Sequence, residues 1–128
     1  MADEAPLEPD RPIIDPHLHL WDAGGARFFA PEAALTIAAS GHAVTHTVFV
    51  ECRAMHRAAG PEALRPVGET EFAAGQAAIS ESGNYGPARL AHRIVGTADL
   101  LLGARVAPVL EAHIAAGGGR FRGVRKAS

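Results

Sequence analysis

The segment Ile13–Asp22, which reads IIDPHLHLWD, places a His-x-His pair directly after two large aliphatic residues. In a β-strand, successive side chains alternate between faces, so Asp15, His17, His19 and Trp21 would share one side. Two imidazoles on one side can bind a common ion, and neutral imidazole nitrogen is a good ligand for zinc and related divalent metals. The segment therefore predicts the first strand of the fold and half of a metal site.

A His-x-His pair is a short pattern that also occurs without any metal. The same two side chains can lie exposed at the end of a strand or hydrogen-bond within a core. The pair alone does not distinguish between these interpretations of His17 and His19, so other features of the sequence are needed.

The composition is that of one globular domain. The chain has 128 residues, of which 48% are hydrophobic and 20% are charged, so it can bury a core and is not disordered throughout. Its formal net charge of -2 gives no electrostatic footprint for nucleic acid or an anionic membrane. Cys52 is the single cysteine, which excludes an internal disulfide and is typical of a reducing compartment.

Residues 1–11 are acidic and rich in proline, and they predict a disordered N-terminal tail. They lack the basic start and apolar run of a signal peptide, and no stretch of the chain is apolar enough for a transmembrane helix. These features predict a cytoplasmic protein that acts on a small molecule and has no nucleic-acid or membrane partner.

Residues 12–128 alternate between strand and helix patterns and are predicted to form one domain. This alternation predicts an α/β fold with right-handed crossovers and a parallel sheet, either open and doubly wound or part of a barrel. No glycine-rich phosphate loop follows the first strand, which disfavours a nucleotide-binding sheet. Strands are predicted over 12–20, 45–51, 94–100 and 121–125, a helical turn over 88–92, and helices over 31–40, 71–82 and 103–116, the second capped by Thr70.

The connection over residues 52–69 is long and polar. Connections of this length are uncommon in a compact domain unless they have a function, so this segment is a candidate lid over an active site. The remaining histidines lack the spacing of metal ligands and are interpreted as structural or exposed, and Cys52 as a small buried residue. These histidines are His42, His46, His56, His92 and His113.

Three segments together resemble a known family. Ile14–Asp22 resembles the first-strand signature of the amidohydrolase-related proteins of the amidohydrolase 2 group, which are predicted TIM-barrel metal-dependent hydrolases. Phe49–Cys52 resembles the end of their second strand, and Phe121–Arg125 resembles their fourth-strand RGVR element. The resemblance covers nearly the whole chain after the tail, and it implies parallel β/α units that form four strands, about half, of a (β/α)8 barrel.

The resemblance also implies a site and a reaction. His17 and His19 match the family's metal ligands, with zinc the expected ion, and Arg125 matches an arginine near a substrate carboxylate or carbonyl. The implied activity is hydrolysis of a lactone or similar cyclic ester or amide by a metal-activated water, although some relatives work without a metal. The family's later ligands and its acid-base aspartate have no counterpart in this sequence, so the chain resembles an N-terminal half, from a truncated or split gene.

Three residues are candidate substrate-binding groups, each with an ordinary structural alternative. Glu51 is either an acid at the rim of the site or a solvated or ion-paired strand end. Arg125 either binds a carboxylate through two hydrogen bonds or forms a surface salt bridge. Trp21 either walls a pocket or packs on its neighbours.

The sequence is also compatible with two other functions. A half-barrel would leave strand edges and part of its inner face uncovered, and the second interpretation is therefore a non-catalytic fragment that forms a homo-oligomer or pairs with a complementary half. A decarboxylase-type relative on the same scaffold is the third interpretation.

Overall fold

A computed structural model describes residues 4–127 of the chain. Residues 1–3 of the predicted tail and Ser128 lie outside the described residues, and residues 4–11 contain bends and a turn. The elements, in chain order, are β1 (Pro12–Leu18), β2 (Trp21–Ala23), β3 (Ala26–Phe28), α1 (Ala30–Ser40), β4 (Ala43–Val50), α2 (Val67–Glu81), β5 (Arg89–Gly96), α3 (Ala107–Ala116) and β6 (Phe121–Val124), with 3₁₀ segments at Glu62–Leu64 and Leu100–Val106.

The main sheet contains β1, β4, β5 and β6 in that order, and every neighbouring pair is parallel. The order of these strands in space is their order along the chain, without the reversal that marks a doubly wound sheet. The α/β class and the parallel sheet predicted from the strand and helix alternation are therefore confirmed.

All three helices pack on one face of this sheet. Phe49 and Ile94 are paired across β4 and β5, and both are buried in a cluster with alanines of α1 and α2. Phe121 is paired with Ile94, so it shares this face, and its ring stacks on His113 of α3 at a centroid distance of 5.0 Å. The small side chains of the first two helices allow their backbones to approach the sheet closely. The alanines are Ala30, Ala33, Ala34, Ala73 and Ala77.

The opposite face of the sheet carries no helix in the described part of the chain. Val48 and Val95, the neighbours of the buried Phe49 and Ile94, point to this face and are half-buried. Ile14 on β1, which the strand pairing places on the same face, is 65% exposed. The molecule therefore has a covered helical side and a partly uncovered apolar side.

The end of the first strand differs from its prediction over residues 12–20. The strand ends at Leu18, and Trp21 begins a separate hairpin of β2 and β3, in a region where no strand was predicted. Gly24 and Gly25 form its turn, with φ values of 60° and 80° that suit the glycine-rich two-residue turns of tight hairpins. The Gly-Gly pair was the feature of the sequence that could have predicted this hairpin.

The third strand was predicted too late in the chain, over residues 94–100, and the helical turn over 88–92 is wrong. This segment is β5, because side chains from distant elements bind its backbone. Ser80 accepts a hydrogen bond from the Leu90 amide at 2.8 Å, and Thr47 accepts one from the Ala91 amide at 3.0 Å. Since both partners are remote in sequence, no local pattern indicated them.

Helix α2 begins at Val67, before the predicted start at residue 71, so Thr70 is not its cap. Thr70 is buried and lies 2.8 Å from Nδ1 of His113, whose Nε2 lies 2.8 Å from the Thr97 carbonyl oxygen. Because a carbonyl only accepts, Nε2–H donates to Thr97 and the Thr70 hydroxyl donates to Nδ1. Burial lowers the pKa of His113 and keeps it neutral in this structural role.

The last helix also starts later than predicted. Residues 100–106 form a 3₁₀ segment that is interrupted at Gly103, and α3 begins at Ala107 with Pro108 in its first turn. Proline is tolerated there because the first amide groups of a helix have no intrahelical acceptor. No helix within residues 4–127 is both long enough and apolar enough to cross a membrane.

Candidate functional site

His17 and His19 come together at the carboxyl end of β1. Their Nε2 atoms are 3.1 Å apart, and the rings meet edge to face. Nδ1 of His19 lies 2.7 Å from the carbonyl oxygen of Val50, the last residue of β4. The pair therefore sits where the carboxyl ends of two neighbouring parallel strands meet.

The contact with Val50 decides which nitrogen of His19 is available. A carbonyl oxygen only accepts, so Nδ1–H of His19 donates, and Nε2 of the neutral ring keeps its lone pair. Histidines that bind metals usually donate their second ring N–H to a carbonyl or carboxylate in this way. The lone pair on Nε2 of His19 therefore points towards His17, whose Nε2–H it accepts at 3.1 Å when no metal is bound.

The spacing of the two Nε2 atoms is compatible with a shared metal ion. Two nitrogens that each bind one tetrahedral zinc at about 2.0–2.1 Å lie roughly 3.3 Å apart, close to the distance seen here. Within residues 4–127 no three His, Cys, Asp or Glu side chains cluster as a metal site, so the pair offers two ligands. Oδ1 of Asp15 accepts a hydrogen bond from the His17 amide at 3.0 Å, where the pairing of β1 with β4 is irregular.

Glu51 and Arg125 form an ion pair across the carboxyl edge. Nε of Arg125 donates to Oε1 of Glu51 at 2.9 Å, and one terminal nitrogen donates to the Glu51 carbonyl at 2.9 Å. The Glu51 side chain is 4% exposed and that of Arg125 is 40% exposed. Of the two sequence interpretations of Glu51, the structure shows the ion pair, and the remaining guanidinium N–H groups of Arg125 are left for other acceptors.

Trp21 is the first residue of the β2–β3 hairpin. Its ring stacks with that of Phe28 at a centroid distance of 6.3 Å, and it is 37% exposed. This contact is the packing alternative for Trp21, and a role in substrate binding stays a prediction.

A cleft of about 890 Å³ opens at the carboxyl ends of β4, β5 and β6. Glu51 lines it, whereas His17, His19, Trp21 and Arg125 are outside its lining. Much of its wall comes from the long connection after β4, which was the candidate lid. The lining residues include Arg53, His56, Glu62, Arg65, Thr97, Asp99 and Lys126.

Glu69 anchors the connection after β4 and was missed by sequence reasoning. It is fully buried in the first turn of α2, and its Oε2 accepts hydrogen bonds from the amides of Cys52 at 2.9 Å and Ala54 at 2.8 Å. An acid in a first helical turn is normally read as a surface group that complements the helix dipole. Its burial depends on how residues 52–54 fold over it, for which the sequence carries no signal.

The thiol of Cys52 lies beside this buried carboxylate. Burial, followed by the negative charge of Glu69, raises its pKa to about 11 from the ordinary 9.0. Cys52 was predicted to be a small buried residue, and in the structure it is half-buried, where the connection after β4 begins.

We expect Cys52 to react slowly with thiol reagents. At pH 7 a thiol with a pKa of about 11 has a thiolate fraction roughly a hundredfold smaller than one with a pKa of 9.0. Alkylation by iodoacetamide should therefore be slower by about that factor than for a free cysteine peptide. Mass spectrometry of a time course measures the rate, and unfolding in urea should restore it. A folded protein that reacts as fast as the peptide would contradict the burial of this thiol.

Comparisons with protein-family models, with curated proteins and with solved structures give no significant match for this chain.

Proposed function

We propose that this chain belongs to a metal-dependent hydrolase of the amidohydrolase-related type, which opens a lactone or similar cyclic ester or amide. The observation that carries the proposal is the pair of His17 and His19 at the carboxyl edge of a parallel sheet, with Nε2 atoms 3.1 Å apart. This pairing agrees with the first-strand resemblance, and catalytic groups of (β/α)8 enzymes lie at this end of their strands.

The sheet supports the barrel part of the proposal. Its strands follow one another in chain order, and its helices all cover one face, which is the arrangement of consecutive β/α units in a barrel wall. In a closed barrel the other face is packed by side chains from facing strands. The exposed Ile14 and the half-buried Val48 and Val95 supply that kind of apolar inner surface.

The chemistry follows from the two pairs at the carboxyl edge. His17 and His19 would hold a divalent metal, with zinc the expected ion, and a bound metal polarises a carbonyl and lowers the pKa of a water molecule. Arg125 is held in place by Glu51, so its free N–H groups can orient a carbonyl or carboxylate of the substrate. Glu51 therefore acts through Arg125, as a positioning residue.

A panel of lactones tests this proposal. The purified chain should open at least one lactone faster when zinc or manganese is added, and His17→Ala with His19→Ala should abolish that gain. His42 is exposed and immediately precedes β4. His42→Ala should therefore leave the gain in rate on metal addition unchanged. Turnover unaffected by removal of both site histidines would sink the metal mechanism.

A non-catalytic, self-associating half-barrel is the second candidate, and the exposed Ile14 favours it. β1 and β6 are the edge strands of the sheet, and edge strands with apolar neighbours tend to pair with other chains. Sedimentation velocity distinguishes a monomer from a self-associated form. Ile14→Lys should weaken association through the uncovered face of the sheet. A monomer at all concentrations would exclude self-association.

A further inference from the structure

His56 and Glu69 form a histidine–carboxylate contact at the wall of the cleft. Nε2 of His56 lies 3.5 Å from Oε1 of Glu69, whose side chain is fully buried, whereas the His56 side chain is 31% exposed. Both atoms are inaccessible to solvent, and within residues 4–127 neither makes a hydrogen bond, so the contact is at ion-pair distance only. The Nε2 edge of the imidazole is therefore the one turned towards the buried carboxylate.

The contact also assigns the two ring nitrogens. Oε2 of Glu69 accepts from two backbone amides, an arrangement that suits a carboxylate acting only as an acceptor. In the neutral ring of His56, the proton therefore belongs on Nε2, towards Oε1. Nδ1 then keeps its lone pair and is the nitrogen free to take a proton from a molecule in the cleft.

The backbone that presents His56 is held in a costly conformation. Arg53 and Met55 have φ values of 62° and 56°, a left-handed region that is sterically unfavourable for a residue with a side chain. Gly68 lets this loop approach α2, because a Cβ there would lie 2.6 Å from the Met55 carbonyl oxygen. Strain kept in a loop that lines a cleft points to a function of that loop.

We propose that His56 is a general acid-base residue of the cleft and that Glu69 positions it. This proposal rests on the proposed hydrolase function for its reaction, and the cleft adjoins that site through Glu51, which lines the cleft and binds Arg125. A water proton would pass to Nδ1 of His56 as the water oxygen bonds to the lactone carbonyl carbon. The ring C–O bond then breaks, and the proton on Nδ1 passes to the leaving oxygen, which regenerates the neutral imidazole.

The length of the contact agrees with this role. At 3.5 Å it is longer than an ordinary hydrogen bond, and such contacts in ligand-free sites often shorten when a substrate is bound. Three basic side chains, Arg53, Arg65 and Lys126, line the cleft beside His56 together with the acids Glu62 and Asp99. A lactone that bears an additional carboxylate is the substrate class that the basic groups would bind.

The imidazole tautomer is tested first, by ¹H–¹⁵N NMR of the uniformly labelled full chain. We expect His56 to show a protonated Nε2 and an unprotonated Nδ1 at neutral pH, and Glu69→Gln to shift those ¹⁵N resonances. Glu69→Gln keeps a side-chain oxygen for the two loop amides, and His42→Ala serves as the assignment control. A protonated Nδ1 in the wild type, or resonances unmoved in folded Glu69→Gln, would overturn the positioning by Glu69.

Kinetics on carboxylate-bearing lactones test the catalytic part. His56→Ala should lower kcat about a hundredfold or more with little change in KM, and added imidazole should restore part of the rate. Activity within twofold of the wild type would overturn the role of His56. If no lactone is opened by the wild-type chain, the proposed hydrolase function fails, while the NMR result still decides whether the His56 and Glu69 contact exists.

Discussion

Replacing Arg125 with alanine is expected to lower the free energy of unfolding by about 2–3 kcal/mol, because Glu51 then remains buried without its partner. The Glu51 side chain is 4% exposed, and its carboxylate accepts a hydrogen bond from Nε of Arg125 at 2.9 Å. Since the arginine itself is 40% exposed, water screens part of the interaction, and the loss should be smaller than for a fully buried pair. Urea unfolding followed by circular dichroism measures the change.

Arg57 provides a matched control for this substitution. It forms an ion pair with Glu71 on the surface, where both side chains are about half exposed, so Arg57→Ala should cost less than about 1 kcal/mol. The double change Glu51→Gln with Arg125→Ala should recover part of the loss, because the neutral amide is less costly to bury. Equal losses for Arg125→Ala and Arg57→Ala would contradict the role of burial in the Glu51 pair.

The sequence indicated the fold where local patterns are strong. The unbroken β-branched and aromatic segment around Phe49 became β4, and Gly41 ends α1 at a φ of 75°, as expected of a C-terminal cap. The spacing of His17 and His19 likewise predicted that their side chains meet. These features depend on neighbours within a few residues, so a sequence pattern is sufficient to find them.

What the sequence could not indicate depends on contacts between distant segments. The ion pair of Glu51 and Arg125 joins residues 74 positions apart, so the sequence offered it as one of two alternatives. Glu69 reaches the amide of Cys52, 17 residues earlier, and only the folded loop reveals that this acid is buried. His56 was grouped with the structural or exposed histidines because its carboxylate partner is not visible in the spacing.

Loss of either histidine of the pair at the end of β1 is expected to have the largest effect on metal binding. His17→Ala or His19→Ala should each weaken zinc affinity by more than the roughly 10–100-fold that follows loss of an outer-shell partner, because each removes a ligand. The double substitution should abolish specific binding. Isothermal titration calorimetry of the wild type and the variants measures these affinities.

The two histidines are not equivalent, and His42 is a suitable control. His19 is held by the Val50 carbonyl at 2.7 Å, whereas His17 is exposed, so His19→Ala should cost at least as much affinity as His17→Ala. His42→Ala removes an exposed histidine and should leave the titration unchanged. Zinc affinity equal in the wild type and the double variant would show that any binding occurs elsewhere on the chain.

The most direct test of the proposed metal centre is anomalous diffraction at the zinc edge from crystals of the wild-type chain grown with zinc. We expect one strong peak at the carboxyl end of β1, about 2.0–2.1 Å from Nε2 of both His17 and His19. Two results would contradict the proposed metal centre. One is zinc bound elsewhere on the chain, and the other is no zinc peak at the pair, with the two Nε2 atoms hydrogen-bonded to each other.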